Sequence, residues 1–295
     1  MVGLGELLWD LLPSGKVLGG APANFAYMAT VLGNQGAVAS RVGNDDLGRQ
    51  ASQSMKKLGL NTHSVQLDNE HQTGTAQIEL DHEGQPQFTI KTPAAWDFLE
   101  WTPAWQQVSQ QTDVVCFGSL AQRSPCSAST IERFLASVPE STLRICDANL
   151  REPFFTSETL RRSFLHADIV KVNSAELQRI STMLNLKPGS ESQLAKALLM
   201  EFDLRLVCVT RGGQGSLIVS RERAISHDGF PIKVADTVGA GDAFTACLAH
   251  YYVRGVQLEE ISERANRFGA WVASQTGATP EIQDAELNEI LRGNF

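Results

Sequence analysis

From residue 113 onward the chain alternates short apolar runs with amphipathic stretches. Residues 114–118, 143–147, 168–172 and 204–210 are apolar runs of strand length. Residues 124–138 repeat their apolar positions at helical spacing. Continuous apolar runs separated by helices predict buried parallel strands with helices on both faces. Upstream, residues 1–5 and 36–42 read as strands, and 46–58 as a helix closed by Gly59. Residues 73–80 and 87–90 instead alternate apolar with polar, with Glu83-Gly84 as a hairpin turn between them. That alternation predicts a half-exposed antiparallel sheet. With residues 7–18 it would make a small lid, its segments being 7–18 and 73–98. Trp96 follows the second lid strand, where packing and substrate contact are both open readings. Two helical stretches, 240–253 and 258–275, come last, and Gly277-Ala278-Thr279-Pro280 ends the second. No repeat or linker divides the chain, so one α/β domain over residues 1–295 is expected.

Polar clusters fall just beyond the apolar runs. They are Asp147-Ala148-Asn149-Leu150-Arg151, Asn173-Ser174-Ala175-Glu176 and Arg211-Gly212-Gly213-Gln214-Gly215. In a mainly parallel sheet, ligands bind beyond the carboxyl ends of the strands. The most informative cluster is Asp236-Thr237-Val238-Gly239-Ala240-Gly241-Asp242-Ala243-Phe244. Small residues between two acids, followed by an amphipathic run, read as a tight turn opening a helix. Such a start points unpaired N–H groups and a positive dipole end outward, which suits phosphate. Asp242 would sit in the first turn, placed to take a proton from a hydroxyl that attacks the phosphate. The plainer reading is an acid favoured there by the dipole alone.

Leu18-Gly19-Gly20-Ala21-Pro22-Ala23-Asn24 is a second glycine turn, with a proline suited to a first helical turn. Two readings stand for Asn24. Its amide suits paired sugar hydroxyls, or it satisfies the backbone of the turn. Gly3-Leu4-Gly5 lacks the third glycine of a dinucleotide fingerprint, where Leu8 stands. Ser14-Gly15-Lys16 is not the end of a phosphate-binding Walker loop, since Asp10 and Val17 replace its first glycine and its hydroxyl residue.

Net charge is -8, which favours neither nucleic acid nor an anionic membrane surface. An anionic substrate therefore needs a local cationic pocket. The five cysteines, Cys116, Cys126, Cys146, Cys208 and Cys247, form no C-x-x-C pair. Scattered and mostly in apolar runs, they suggest reduced thiols. No apolar run approaches a membrane span. A soluble, cytoplasmic protein is expected.

Both glycine turns, in this order and at this separation, resemble the two signatures of the ribokinase-like carbohydrate kinases, which include bacterial fructokinases and B-type phosphofructokinases. The resemblance covers nearly the whole chain. Residues 19–26 look like the amino-terminal signature and 236–244 like the carboxy-terminal one. Asn173 through Glu176 is similar to the family's Asn-x-x-Glu element. Gly5-Glu6 through Asp10, with Asp147 to Arg151, looks most like the fructokinase branch. The resemblance implies a three-layer α/β/α sandwich with a mainly parallel sheet and a small β-sheet lid. It also implies transfer of the γ-phosphoryl group of ATP to a primary hydroxyl of a small sugar.

By the same resemblance, Asp242 matches the catalytic base, and the Gly239, Ala240 and Gly241 backbone matches the anion hole. Asp10, Gly20 and Asn24 match sugar-binding positions. Lys91 stands near a lid position that often carries arginine, and Arg151 is a contact to substrate or phosphate, or a surface ion pair. Asn173 and Glu176 match the element that organises magnesium and its waters. Thr210, Gly212 and Gly215 match the nucleotide-binding edge, with Asn266 near the adenine. Asp236 and the Val238 carbonyl match a monovalent-cation site, such as one for potassium. The expected cofactors are thus ATP, Mg2+ and K+.

Fructose, giving fructose 6-phosphate, is the expected substrate. Ribose or a sugar acid such as 2-keto-3-deoxygluconate is the alternative. A sugar acid needs a facing cation, for which Arg123, Lys91 and Arg151 are candidates. A non-catalytic sugar- or nucleotide-binding relative is opposed by the intact set Asp242, Asn173 and Glu176. The apolar outer face of the lid suggests a homodimer that pairs two lids.

Overall fold

The computed structural model describes residues 1–12, 15–80 and 86–293. Three strands, β1 (Val2–Leu4), β2 (Leu8–Leu12) and β3 (Gly15–Gly19), lead into α1 (Ala21–Val31). Then come β4 (Ala37–Gly43), α2 (Asp46–Lys57), β5 (Val65–Asp68), β6 (Gly74–Leu80), β7 (Pro86–Ile90) and α3 (Pro103–Gln110). An alternating stretch follows: β8 (Val114–Phe117), α4 (Pro125–Ser137), β9 (Leu143–Asp147), α5 (Ser157–Leu165) and β10 (Ile169–Asn173). It continues through α6 (Ser174–Met183), α7 (Glu191–Glu201) and β11 (Leu206–Thr210). The last elements are β12 (Ser216–Val219), β13 (Ala224–His227), α8 (Ala240–Tyr252), α9 (Leu258–Ala273) and α10 (Asp284–Arg292).

Nine strands form the large sheet, in the order β13-β12-β11-β10-β9-β8-β1-β4-β5. Along that order β11, β10, β9, β8, β1, β4 and β5 pair in parallel, whereas β11–β12 and β12–β13 are antiparallel. Successive side chains of each strand point to opposite faces, which builds two cores. Val115, Phe117, Val170 and Val207 pack with Phe134 of α4, Phe164 of α5 and Leu198 of α7. Val114, Cys116, Ile169 and Cys208 pack with Phe25 of α1, Phe244 of α8 and Phe268 of α9. The result is the expected three-layer α/β/α sandwich.

Local chemistry starts the helices where the pattern put them. Asp45 caps α2 by accepting from Gly48 N–H at 2.8 Å, and Pro22 and Pro125 occupy first-turn positions of α1 and α4.

The small sheet departs from the expectation. Its order is β3-β2-β6-β7, and β2 pairs with β6 in parallel. The hairpin-like pairs β2–β3 and β6–β7 are antiparallel. β2 and β6 are joined through α1, β4, α2 and β5, a crossover that permits parallel pairing. Alternation along a strand reports one exposed face and is blind to the direction of its neighbour. The Glu83-Gly84 turn lies outside the described residues. β5, α3, β12, β13 and α10 are elements that the pattern did not reveal.

The order of the large sheet also locates a crevice. β1 lies between β4, the next large-sheet strand in the chain, and β8, which is reached only after the small sheet. Connections that leave a strand toward opposite sides open a gap beyond its carboxyl end.

Candidate active site

Five pieces of chain meet at that gap: the carboxyl ends of β1, β8 and β9, and the starts of α1 and α8 above them. Gly239 caps α8 at φ 80, and a side chain there would meet the Ala278 carbonyl oxygen at 2.6 Å. Only glycine suits that left-handed turn. A Cβ at Gly241 would lie 2.8 Å from Lys171 Nζ. An ammonium therefore sits directly beneath the turn, next to the unpaired N–H groups of the helix start.

Asp242, in the first turn of α8, is half-buried. Its Oδ2 accepts a 2.8 Å hydrogen bond from Asn24 Nδ2, on the first turns of α1. Gly20 caps α1. The two glycine turns, 218 residues apart at Asn24 and Asp242, thus form one site. Burial and the charge of Asp147 push the Asp242 carboxyl up to about 7, against the Asn24 hydrogen bond, Lys171 and Arg151. Burial likewise raises Asp10, on β2, to about 6, with Arg151 opposing. Arg151 is exposed, donates to its neighbour Leu150 O at 3.2 Å, and has no carboxylate at ion-pair distance among the described residues. Its field reaches Glu6, Asp10 and Asp242 alike, so the surface ion pair is not its arrangement here.

Beneath these groups lies a buried pair not singled out in the sequence reading. Lys171 Nζ is 3.1 Å from both oxygens of Asp147. Thr245 Oγ1 donates to Asp147 Oδ2 at 3.0 Å. Burial opposes the Lys171 charge, yet Asp147, Glu176 and Asp242 outweigh it and hold the ammonium above the usual lysine range. A lone lysine inside the apolar run Ile169-Val170-Lys171-Val172 was the available signal, because a buried lysine requires a partner. Glu6 and Asn149 also line the site, and Asn149 holds φ 39, uncommon for a residue with a side chain.

On the nucleotide side expected from the sequence, Asn173 and Glu176 form a reciprocal capping box at the start of α6. Glu176 Oε2 accepts from Asn173 N–H and Oε1 from Leu150 N–H, both at 2.8 Å. It therefore ties the start of α6 to the loop that carries Arg151. Thr210 ends β11 in register with Asn173, and Gly212 and Gly215 turn the chain into β12 with φ 57 and 80. Asn266 is buried on α9 and donates to Ser216 Oγ and Ser262 O, each at 2.7 Å. Asp236 accepts from Val238 N–H at 3.0 Å and from Gly277 N–H at 3.2 Å, tying the turn before α8 to the loop after α9. No group of three His, Cys, Asp or Glu residues among the described residues could hold a metal by itself.

Two candidates are placed elsewhere. Lys91 is exposed and donates to Gln72 at 2.6 Å. Arg123 is a correction: it makes two 2.8 Å bonds to Asp97 and stacks on Trp96 and Phe154. With its fork engaged in this buried pair, it is withdrawn from the cations facing a sugar acid. Trp96 is fully buried, so its role is packing.

A much larger cavity, about 930 Å³, lies at the opposite ends of β9 to β11. Its arginines are paired, Arg144 and Arg205 with Asp168 and Arg221 with Asp203. It offers no converging unpaired charge. At the crevice, by contrast, a carboxyl near neutrality faces helix-start N–H groups and a buried ammonium. That combination can bind an anion and accept a proton beside it.

Comparison with known proteins agrees with this geometry. The pfkB family carbohydrate kinase model matches residues 14–285. A probable fructokinase-4 of Arabidopsis thaliana is 28% identical over 321 residues, covering 100% of this chain and 97% of that one. A double mutant of the Vibrio cholerae fructokinase, solved with fructose, ADP and potassium ion, superposes with a TM-score of 0.83 at 28% identity, covering 98% of this chain and 96% of that one. A sugar kinase of Pyrococcus horikoshii in complex with ATP gives a TM-score of 0.82 at 25% identity, covering 98% of each chain. With the family model spanning both glycine turns and everything between them, the chain belongs to the pfkB family of carbohydrate kinases.

Proposed function

We propose that the chain is an ATP-dependent fructokinase, one kinase domain over residues 1–295 that transfers the γ-phosphoryl group of ATP to a primary hydroxyl of fructose. The observation that carries this reading is the Asn24–Asp242 hydrogen bond, which joins the acceptor-side turn to the phosphate-side turn. Asp242 takes the hydroxyl proton as the oxygen attacks. The Gly239, Ala240 and Gly241 backbone, with Lys171 beneath it, faces the negative charge of the transferring group. Asp10, Gly20 and Asn24 position the sugar, and the small sheet covers it, excluding water and aligning the reactants. Arg151 faces the acceptor and the phosphates.

Thr210, Gly212, Gly215 and Asn266 border the nucleotide. Magnesium, when bound, neutralises the phosphates. Each Glu176 oxygen accepts one backbone N–H and retains capacity for a water, which fits a metal that keeps its waters and is held by phosphate. Asp236 and the Val238 carbonyl are proposed to border a potassium ion, as the potassium-bound Vibrio relative suggests.

A homodimer through the lid is supported by Val17, 42% exposed on β3. A cytoplasmic location is supported by five cysteines that are all free.

The test is coupled ADP release over fructose, ribose and 2-keto-3-deoxygluconate with magnesium, with and without potassium. Fructose should give the highest kcat/KM. A higher value with 2-keto-3-deoxygluconate would transfer the reading to a sugar acid, with Arg151 as the facing cation.

A further inference from the structure

In the crevice beside Asp242, one buried acid has no part in the transfer described above. Glu6, Ser119, Asp147, Asn149 and Asp242 line a small cavity there, with about 10 Å³ of free volume, on the order of one water. Glu6 is 4% exposed, and its Oε2 has no hydrogen-bond partner. An ionised carboxylate in that position is strongly disfavoured.

The local charges do not cancel. Glu6, Asp147 and Asp242 face Lys171 and the exposed Arg151, and Glu176 adds a further negative charge beside Lys171. Cys116, which also lines the cavity, is neutral because burial pushes its thiol well up. Asp147 already has partners of its own, the Lys171 ammonium and the Thr245 hydroxyl. Glu6 and Asp242 are left to share one proton, since two such charges in one buried site disfavour each other. Asp242 is half-buried and has the Asn24 amide, Lys171 and Arg151 to favour its ionised form, with Asp147 against it. Glu6 has only the Arg151 field and the N–H groups of Glu6 and Ala21.

We propose that Glu6 is a positioning residue for phosphoryl transfer: it retains one proton across this cavity, so that Asp242 stays ionised and able to accept the proton of the attacking hydroxyl. Glu6 keeps its own proton throughout. The hydroxyl proton moves to Asp242 and leaves to solvent through the open side of the site. Burial raises Glu6 to about 7, alongside Asp242, which agrees with a shared proton.

The inference rests on Asp242 being the base. Failure of that assignment would show as turnover by Asp242→Asn, which is a separate measurement. The present test is the pH profile of kcat for Glu6→Gln. Glutamine reproduces the shape and the neutrality of the protonated side chain, so the acid limb should stay within a few tenths of a pH unit and kcat within about twofold. A limb that moves down by half a pH unit or more, which would mean that Glu6 is charged while Asp242 works, or kcat lost alike at every pH, overturns the inference. Carboxyl-carbon NMR titration of the unsubstituted protein provides a second measurement that needs no variant. Two resonances titrating jointly in two steps around neutrality are expected, and a Glu6 carboxyl titrating alone in the ordinary carboxylate range overturns it.

Discussion

The effects of Asp242 and of its neighbours Lys171, Asp147 and Glu6 can be separated by substitution. Asp242→Asn keeps the shape and the Asn24 contact but removes the proton acceptor. Turnover should fall by about 10²–10⁴-fold or more, with nucleotide binding retained by calorimetry. Lys171→Met leaves Asp147 buried without its cation. Urea denaturation should show a loss of about 3–5 kcal/mol, most of it regained when Asp147→Leu is added. Glu6 makes a prediction in the other direction. Its folded carboxyl titrates above the unfolded one, so its contribution is full below the unfolded pKa and is lost as pH rises through about 7. Glu6→Gln should therefore melt higher than the unsubstituted protein at pH 8, by about 2–4 °C for each kcal/mol relieved. The difference should shrink toward zero as pH falls to about 3, below the usual carboxylate range. Equal melting differences at both values would show that Glu6 bears no such cost.

Among the elements, the strut beneath the small sheet sets the geometry of the acceptor side. Arg123 follows β8, yet its guanidinium reaches Asp97 and the Lys91 carbonyl, where β7 returns to the body of the protein. Trp96 and Phe154 sandwich it. Arg123→Ala would strand Asp97, which is 3% exposed, and loosen the return of the small sheet. Sugar KM should rise several-fold more than ATP KM in steady-state kinetics, because the proposed nucleotide edge at Thr210 and Gly215 lies on a different sheet. The elements differed in how far they could be read in advance. Buried parallel strands announce themselves as unbroken apolar runs, so β8 through β11 were legible. Short or edge strands such as β5 and β13, with their mixed burial, carry too few residues for a period to emerge. The parallel β2–β6 pairing depends on a long connection and leaves no mark on either strand. The two glycine turns were legible because backbone geometry restricts their residues. The Lys171–Asp147 pair was not, because its partners lie on neighbouring strands and only the register brings them together.

For the molecule as a whole, the crevice follows from strand order and the chemistry from which polar clusters that order brings together. Glu6, Asn24, Asp147 and Asp242 are dispersed along the chain, and the position of β1 between β4 and β8 makes them neighbours. The exposed side of the small sheet gives a prediction at this scale. Val17→Glu should shift the sedimentation coefficient from that of the proposed dimer to that of a monomer while the melting temperature stays put. An unsubstituted protein that sediments as a monomer at high concentration would remove the lid pairing.

The Asn24–Asp242 bond also bears on synthesis. α1 packs against α8, so the turn proposed to face the sugar is made early and must wait for a helix translated more than two hundred residues later. Until that helix emerges, a growing chain has the proposed acceptor side without the proposed phosphate turn or base. An unfinished chain therefore lacks the means to spend ATP, and the first competent site forms only when the two distant segments close on each other.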